Sequence, residues 1–326
     1  MTFYCTIFDS FYMSRAICMY QSLHRHSPDA VLIAFCFDDR SENALKAMKL
    51  KNVFVVGLAE FENKKILNIK SSRSPGEYCW TCKASAIKYV MDRFNAESCT
   101  YIDADLYFFS SPNVIEEELK KCSVILTPHD FTEKYDTSSL NGVYCAQFIG
   151  FMNNIEGVSI LNWWEDSCID WCFARHEDNK YGDQKYLETM SEISSVGITK
   201  QKGVLGPWNM QKYSYTVSNG KLCASSLDGK NQYEVIFFHF HGFKFEKSLK
   251  RLNLGNYDIP KSAIKNIYLE YARHLTLVEK MLFSQFSISA FDMNKEKFNF
   301  KNVLRRIRQK FTGKPFLISN DNSILK

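Results

Sequence analysis

Between Tyr101 and Phe109 the chain reads YIDADLYFF, an apolar, β-prone run interrupted by two carboxylates one residue apart. Side chains alternate across a strand, so Asp103 and Asp105 are expected to leave the backbone on the same side. Two like charges held that close raise each other's pKa unless something positive sits between them. Hard carboxylate oxygens at a strand's end suit Mg2+ or Mn2+, which a diphosphate can then share. By itself an Asp-x-Asp is a weak signal, because solvated loops carry such pairs by chance. The surrounding elements have to decide its meaning.

Those elements alternate. Phe3–Phe8 reads as a buried strand closed by Asp9-Ser10, and Met13–His26 as a helix with Ala16, Ile17, Met19, Tyr20 and Leu23 at helical spacing. Ser27-Pro28-Asp29 stops it, a strand follows at Val31–Phe37, then a helix at Ser41–Leu50 and a strand at Asn52–Leu58. A further helix, Thr81–Phe94, leads into the strand bearing the aspartates. Strands apolar on both faces, alternating with helices, imply a mainly parallel sheet covered on two sides. Ligands in such sheets bind beyond the C-terminal strand ends, where Asp9, Asp103 and Asp105 would lie.

The second half is less regular. Val158–Arg175 is expected to be helical, with Trp163, Trp164, Trp171 and Cys172 crowding it, the tryptophans more as core than as ligand-stacking platforms. Gly182-Asp183-Gln184 breaks the pattern before a helix at Lys185–Met190, and an N-cap for that helix is the plainer alternative to a ligand contact for Asp183. Trp208, in the turn Gly206–Asn209, has the better claim to a ligand face. Glu234–Phe240 is a last buried strand running into His241-Gly242, and beyond Pro260 a helix of about 25 residues carries one apolar stripe from Ile264 to Leu282. The tail after Gly313 is expected to be frayed.

The 326 residues suit one large domain or a main domain with an appendage. Eleven cysteines raise the question of a disulfide scaffold. The number is odd, several thiols sit inside apolar runs, and no signal-peptide h-region follows Met1, so reduced cytosolic thiols are expected. Cys79-x-x-Cys82 has no partner motif at zinc-finger spacing. No apolar run approaches the roughly 18 residues that span a bilayer. Residues 295–314 carry eight Lys and Arg against Glu296 alone, more than the whole net charge of +5, so all the excess basicity lies near the C-terminus. There Val303, Leu304, Ile307 and Phe311 share one face of an expected helix flanked by Arg305, Arg306, Arg308 and Lys310, which suits an anionic membrane surface. A solvated face packed on the domain is the plainer alternative. Nucleic acid is not expected as a partner, because no recognition module accompanies the patch.

Five stretches together resemble a known family: Thr6–Ser22 (TIFDSFYMSRAICMYQS), Glu77–Lys83 (EYCWTCK), Tyr101–Pro112 (YIDADLYFFSSP), Trp163–Leu187 with Gly206–Asn209 (GPWN), and Phe237–Lys244 (FFHFHGFK). In this order they are similar to the GT-A-fold glycosyltransferases of the glycogenin and lipooligosaccharide galactosyltransferase clan, and more closely to uncharacterised bacterial surface-polysaccharide transferases. The resemblance implies an α/β fold with a Rossmann-like, mixed but mainly parallel sheet and a C-terminal helical appendage. Residues 1–250 would form the catalytic domain (nucleotide-sugar half to about 112, acceptor half to about 250) and 251–326 the extension. It further implies a metal-dependent, retaining hexosyltransferase moving a sugar from a nucleotide-sugar donor, by resemblance a UDP-sugar, to a glycan or lipid-linked saccharide. The setting would be surface polysaccharide synthesis in the cytoplasm, peripheral on the inner face of the plasma membrane.

By the same resemblance, Asp103, Asp105 and His239 would hold Mn2+ or Mg2+ on the donor's diphosphate, with Gly242 letting backbone approach the phosphates. Thr6, Asp9 and Tyr12 would line the base pocket, Lys83 would touch donor sugar or phosphate, and Asp183 and Gln184 would lie against the transferred sugar. Three departures stand out. Lys244 falls two residues nearer the glycine than the relatives' phosphate lysine. Cys145-Ala146-Gln147 stands where many relatives have Asn-x-Gly. His241 competes with His239 as ligand, His239 being favoured by its spacing to Gly242. The rival readings are a non-catalytic sugar-nucleotide-binding or scaffold protein and a sugar-1-phosphate nucleotidyltransferase. The latter would want a Gly-rich loop where Phe8-Asp9-Ser10-Phe11 has none.

Overall fold

The computed structural model describes residues 1–246, 251–290 and 317–319. Strands β1 (Phe3–Phe8), β2 (Val31–Cys36), β3 (Val53–Gly57) and β4 (Ser98–Ile102) alternate with helices α1 (Met13–His26), α2 (Asp39–Met48), α3 (Leu58–Phe61), α4 (Lys64–Lys70) and α5 (Pro75–Phe94). Every residue of β2 is buried, as a strand covered on both faces requires. After β4 come β5 (Leu106–Phe108), α6 (Asn113–Leu119), β6 (Val124–Pro128), α7 (Ser138–Asn141), β7 (Tyr144–Met152), α8 (Ile155–Asp170), α9 (Tyr186–Ser191), β8 (Val196–Ile198) and β9 (Val204–Leu205). The main sheet runs β3-β2-β1-β4-β7-β6-β8. Its first four strands are parallel, and β7 lies antiparallel between β4 and β6.

Three smaller sheets complete the fold. β10 (Tyr213–Ser218), β11 (Lys221–Ser226) and β12 (Gln232–Glu234) form an antiparallel meander, and β13 (Phe237–His239) lies between β5 and β9. β14 (Lys244–Glu246), β15 (Arg251–Asn253) and β16 (Leu317–Ser319) form the third. A short α10 (Lys261–Ala263) and a π-helical turn, Ile264–Tyr268, lead into α11 (Leu269–Phe286). One apolar layer joins the sheet to α5 and α8 through Ile87, Val90, Leu161 and Trp164. The opposite layer joins α1 to α11 through Met13, Ile17, Tyr271 and Leu275, so the expected apolar stripe beyond Pro260 packs on the first helix.

Several elements differ from their expected bounds. Helix α5 begins six residues earlier than Thr81, because Ser74 and Glu77 form a reciprocal capping box with Pro75 in the first turn. Helix α8 stops at Asp170, where Trp171 turns extended, rather than continuing to Arg175. The run Glu234–Phe240 divides between two sheets, with only Phe237–His239 in β13, and it is not the last strand. Leu317–Ser319 pairs with Arg251–Asn253, where a frayed tail was expected. The basic amphipathic segment, residues 295–314, lies outside the described residues. All eleven cysteines are free. Among the described residues no helix is long and apolar enough to cross a membrane.

Candidate functional site

The two aspartates converge through a turn and not through strand alternation. Strand β4 ends at Ile102 and β5 begins at Leu106, so Asp103 and Asp105 both lie between strands. The N–H of Leu106 donates to the Asp103 carbonyl at 3.1 Å, closing the turn, while the Asp103 N–H donates to the Gln147 carbonyl of β7 at 2.8 Å. Pairing of β5 with β13 then sets His239 opposite Leu106, and the Phe240 N–H donates to the Asp105 carbonyl at 3.0 Å. That register brings an imidazole from late in the chain against the turn. His239 Nε2 lies 3.0 Å from Asp105 Oδ1 and 3.9 Å from Asp103 Oδ2.

One ligand atom from each of Asp103, Asp105 and His239 falls within 4.8 Å of the others, the one such cluster among the described residues. Two carboxylates and one imidazole make an oxygen-rich donor set that Mn2+ and Mg2+ accept, so the residues fit the expected ion. His241, the competing ligand, is exposed past the end of β13, its ring 5.9 Å from that of His239. Burial alone would raise Asp105, but the charge and hydrogen bond of His239, with His241 and Arg15 adding to them, together outweigh burial and hold the carboxyl well below its usual range. Burial would likewise depress His239, but the Asp105 carboxylate outweighs it and raises the imidazole well above its ordinary value, by a proton on Nε2 that a cation bound there would displace.

Lys83 is a buried charge. Helix α5 carries it into the interior, 4% exposed, where Nζ lies 3.1 Å from Asp103 Oδ1 and 3.2 Å from Asp183 Oδ2. It also donates to the Ala146 carbonyl at 3.1 Å and sits over the Tyr101 ring. Burial pulls its pKa down, but the two carboxylates outweigh that and raise it, keeping the ammonium charged. Asp183 is raised, first by burial and against the pull of Lys83. It does not cap the helix that follows: α9 begins at Tyr186 with Lys185 at its N-cap. Instead Trp164 Nε1 donates to the Asp183 carbonyl at 3.0 Å, and Gly182, with φ of +53°, turns the chain against the Trp80 ring. Gln184 donates from Nε2 to the Asn141 carbonyl at 2.7 Å.

The remaining expected residues spread around this centre. Asp9 accepts from the N–H groups of Phe11 and Tyr12 at 3.0 and 3.1 Å, fixing the loop after β1. Tyr12 opens α1, 47% exposed, under the Arg15 guanidinium. Although nearly half of the residue meets solvent, the protein packed around the Tyr12 phenol raises it to about 12, with Asp105 adding to it, which places it in the field of the acidic turn. Thr6 is fully buried within β1. Gly242 has φ of +75°, a conformation that excludes most side chains, and Lys244 is exposed at the start of β14.

Sequence reasoning missed the layer beneath the triad. Gln147 Oε1 lies 2.6 Å from His239 Nδ1. The Trp208 ring meets His239 edge-on at 5.4 Å, while its Nε1 donates to the His129 carbonyl at 2.8 Å. Trp208 is therefore a buried support for the imidazole, contrary to its expected ligand face. Burial pushes the Cys145 thiol up, yet His129 and His239 outweigh it and bring the pKa to about 7. The departure at Cys145–Gln147 was visible in the sequence; its opposition to His239, 92 residues away, was not.

This geometry can be set against known proteins. A solved galactosyltransferase, LgtC in complex with donor and acceptor sugar analogues, superposes with a TM-score of 0.52 at 11% identity, covering 84% of this chain and 95% of that one. The fold is the GT-A glycosyltransferase fold. Two uncharacterized proteins of Bacillus subtilis (strain 168) are closer in sequence. YfnF is 31% identical over 251 residues, covering 74% of this chain and 81% of the relative, and YfnD is 31% identical over 283 residues, covering 83% and 88%. The chain belongs to the family of these two proteins. No family model matches it.

Proposed function

We propose that the chain is a metal-dependent glycosyltransferase that moves a hexosyl unit from a UDP-sugar to a glycan or lipid-linked saccharide in surface polysaccharide synthesis. The observation carrying this reading is the convergence of Asp103, Asp105 and His239 on one point, beside the buried Lys83–Asp183 pair. A divalent cation held by that triad supplies Lewis acidity toward the negative charge that develops on the departing phosphate. Lys83 fixes Asp103 through Oδ1, which leaves Oδ2 on the His239 side. Asp9 and Tyr12 flank the base pocket with Thr6 behind them, and Gly242 leaves room for the phosphates. Lys244, exposed beyond it, is available to them only at the pocket's edge. Asp183 and Gln184 hold the transferred sugar.

Asp183 is engaged by Lys83 and raised by burial, which suits an oriented sugar contact better than a free base. That favours retention of configuration, where no protein base is obligatory. The basic residues of 295–314 would bring the enzyme to an anionic cytoplasmic membrane face, where a lipid-linked acceptor lies. Thermal unfolding with UDP-, GDP- and CMP-sugars, each with and without Mn2+, tests the donor assignment. A donor at 100 times its Kd adds ~2.7 kcal/mol. Stabilisation by UDP-sugars that requires Mn2+ is expected; none by any donor would remove the reading.

A further inference from the structure

We infer that Gln147 is a positioning residue for the imidazole of the metal site, selecting which ring nitrogen His239 turns toward the cation; this rests on the metal reading above. The carboxamide oxygen of Gln147 stands 2.6 Å from His239 Nδ1. A carboxamide oxygen only accepts, so Nδ1 must carry the hydrogen. The nitrogen left for a metal is then Nε2, the one 3.0 Å from Asp105 and 3.9 Å from Asp103.

Geometry leaves the ring little freedom to turn over. Gln147 is 1% exposed, so its side chain has no water to exchange for this bond. A flipped ring would set a C–H against the buried oxygen and leave it unpaired, which costs on the order of 1–3 kcal/mol. Trp208 closes the ring edge-on and is itself tied to His129.

The same residue holds the other half of the site. Its main-chain carbonyl takes the Asp103 N–H at 2.8 Å, so one position on β7 fixes both the turn that carries the carboxylates and the strand end that carries the imidazole. Partners of metal-bound imidazoles generally act in this way, orienting the ring and fixing its tautomer. A glycine here, as in the Asn-x-Gly of the resembled clan, could form the main-chain bond but not the side-chain one.

The test is Mn2+ affinity of the full chain, read from the electron paramagnetic resonance of free Mn2+ without any substrate. Q147M keeps the length and removes the acceptor, and Q147N keeps the amide but withdraws it by one methylene. Both are expected to weaken Mn2+ binding ~10–100-fold. Q147E, which restores an acceptor at full length, is expected to bind within a few-fold of the original chain or more tightly. A purely structural role would instead lower the unfolding midpoint of the metal-free protein and leave affinity in the folded protein unchanged. Unaltered affinity in whichever of Q147M and Q147N folds, or affinity in Q147E as weak as theirs, overturns the inference. Failure of the unsubstituted chain to bind Mn2+ overturns the metal reading first and the inference with it.

Discussion

Replacing Lys83 with methionine is the sharpest perturbation of the site's electrostatics. The ammonium is buried and lies 3.1 and 3.2 Å from Asp103 and Asp183. Removing one member of a buried ion pair costs about 3–5 kcal/mol, mainly because the partner is stranded without compensation. The two carboxylates are unequal. The Asp183 side chain is 6% exposed and that of Asp103 21%, so most of the loss should come from Asp183. Burial already raises Asp183, and removing Lys83 takes away the charge that opposes this, so in K83M it should take up its proton more readily and the loss should shrink as the pH falls. Urea unfolding at pH 8 should give a midpoint lower by the equivalent of about 3–5 kcal/mol with an unchanged m-value. The double variant K83M/D183N, in which only the more exposed Asp103 is left without its partner, should recover more than half of that. A K83M loss below about 1 kcal/mol, the range of exposed pairs, would refute the reasoning. So would a double variant no more stable than the single one.

Three further outcomes are expected. D105N should fold but lose on the order of 10²–10³-fold in transfer or donor hydrolysis at saturating Mn2+, as measured by UDP release; an unchanged rate would remove Asp105 from the metal site. Glu116 is raised by burial from 4.5 to about 7, against the pull of the Thr100 hydroxyl. The folded state therefore holds its proton more tightly than the unfolded chain, and this contribution is full below about pH 4.5 and lost as pH rises through 7. E116Q should flatten that fall, by about 3 kcal/mol at most, in unfolding followed from pH 4.5 to 8; parallel curves for the two proteins would contradict it. Replacing Arg305, Arg306 and Arg308 with glutamine should weaken partition onto phosphatidylserine vesicles by ~3 kcal/mol, roughly 100-fold, and unaltered sedimentation with vesicles would count against a membrane role.

Local pattern made most of the first half legible. The apolar runs at Phe3–Phe8 and Val31–Cys36 could only be buried strands, and the stripe from Met13 to Leu23 only a helix face. The helix start at Pro75 was missed although Ser74-Pro75-Gly76-Glu77 carries its capping signal, since the apolar positions of α5 begin only later. The acidic pair was found for partly the wrong reason. Alternation on one strand predicted the convergence that the turn between β4 and β5 in fact produces.

What could not be read depends on register between distant segments. Pairing of His239 with Leu106 and the reach of Lys83 to both Asp103 and Asp183 are settled by tertiary packing. The environments of Trp208 and Gln147 belong to the same class: an aromatic ring and an amide look alike in sequence whether they face a ligand or brace a histidine.

The most direct test of the metal centre is diffraction on either side of the manganese absorption edge, from crystals soaked with UDP and Mn2+. The account predicts one strong anomalous peak bounded by Asp103, Asp105 and Nε2 of His239, with the UDP phosphates against it. A peak elsewhere, or UDP bound in that cleft with the acidic turn carrying no manganese, would contradict it.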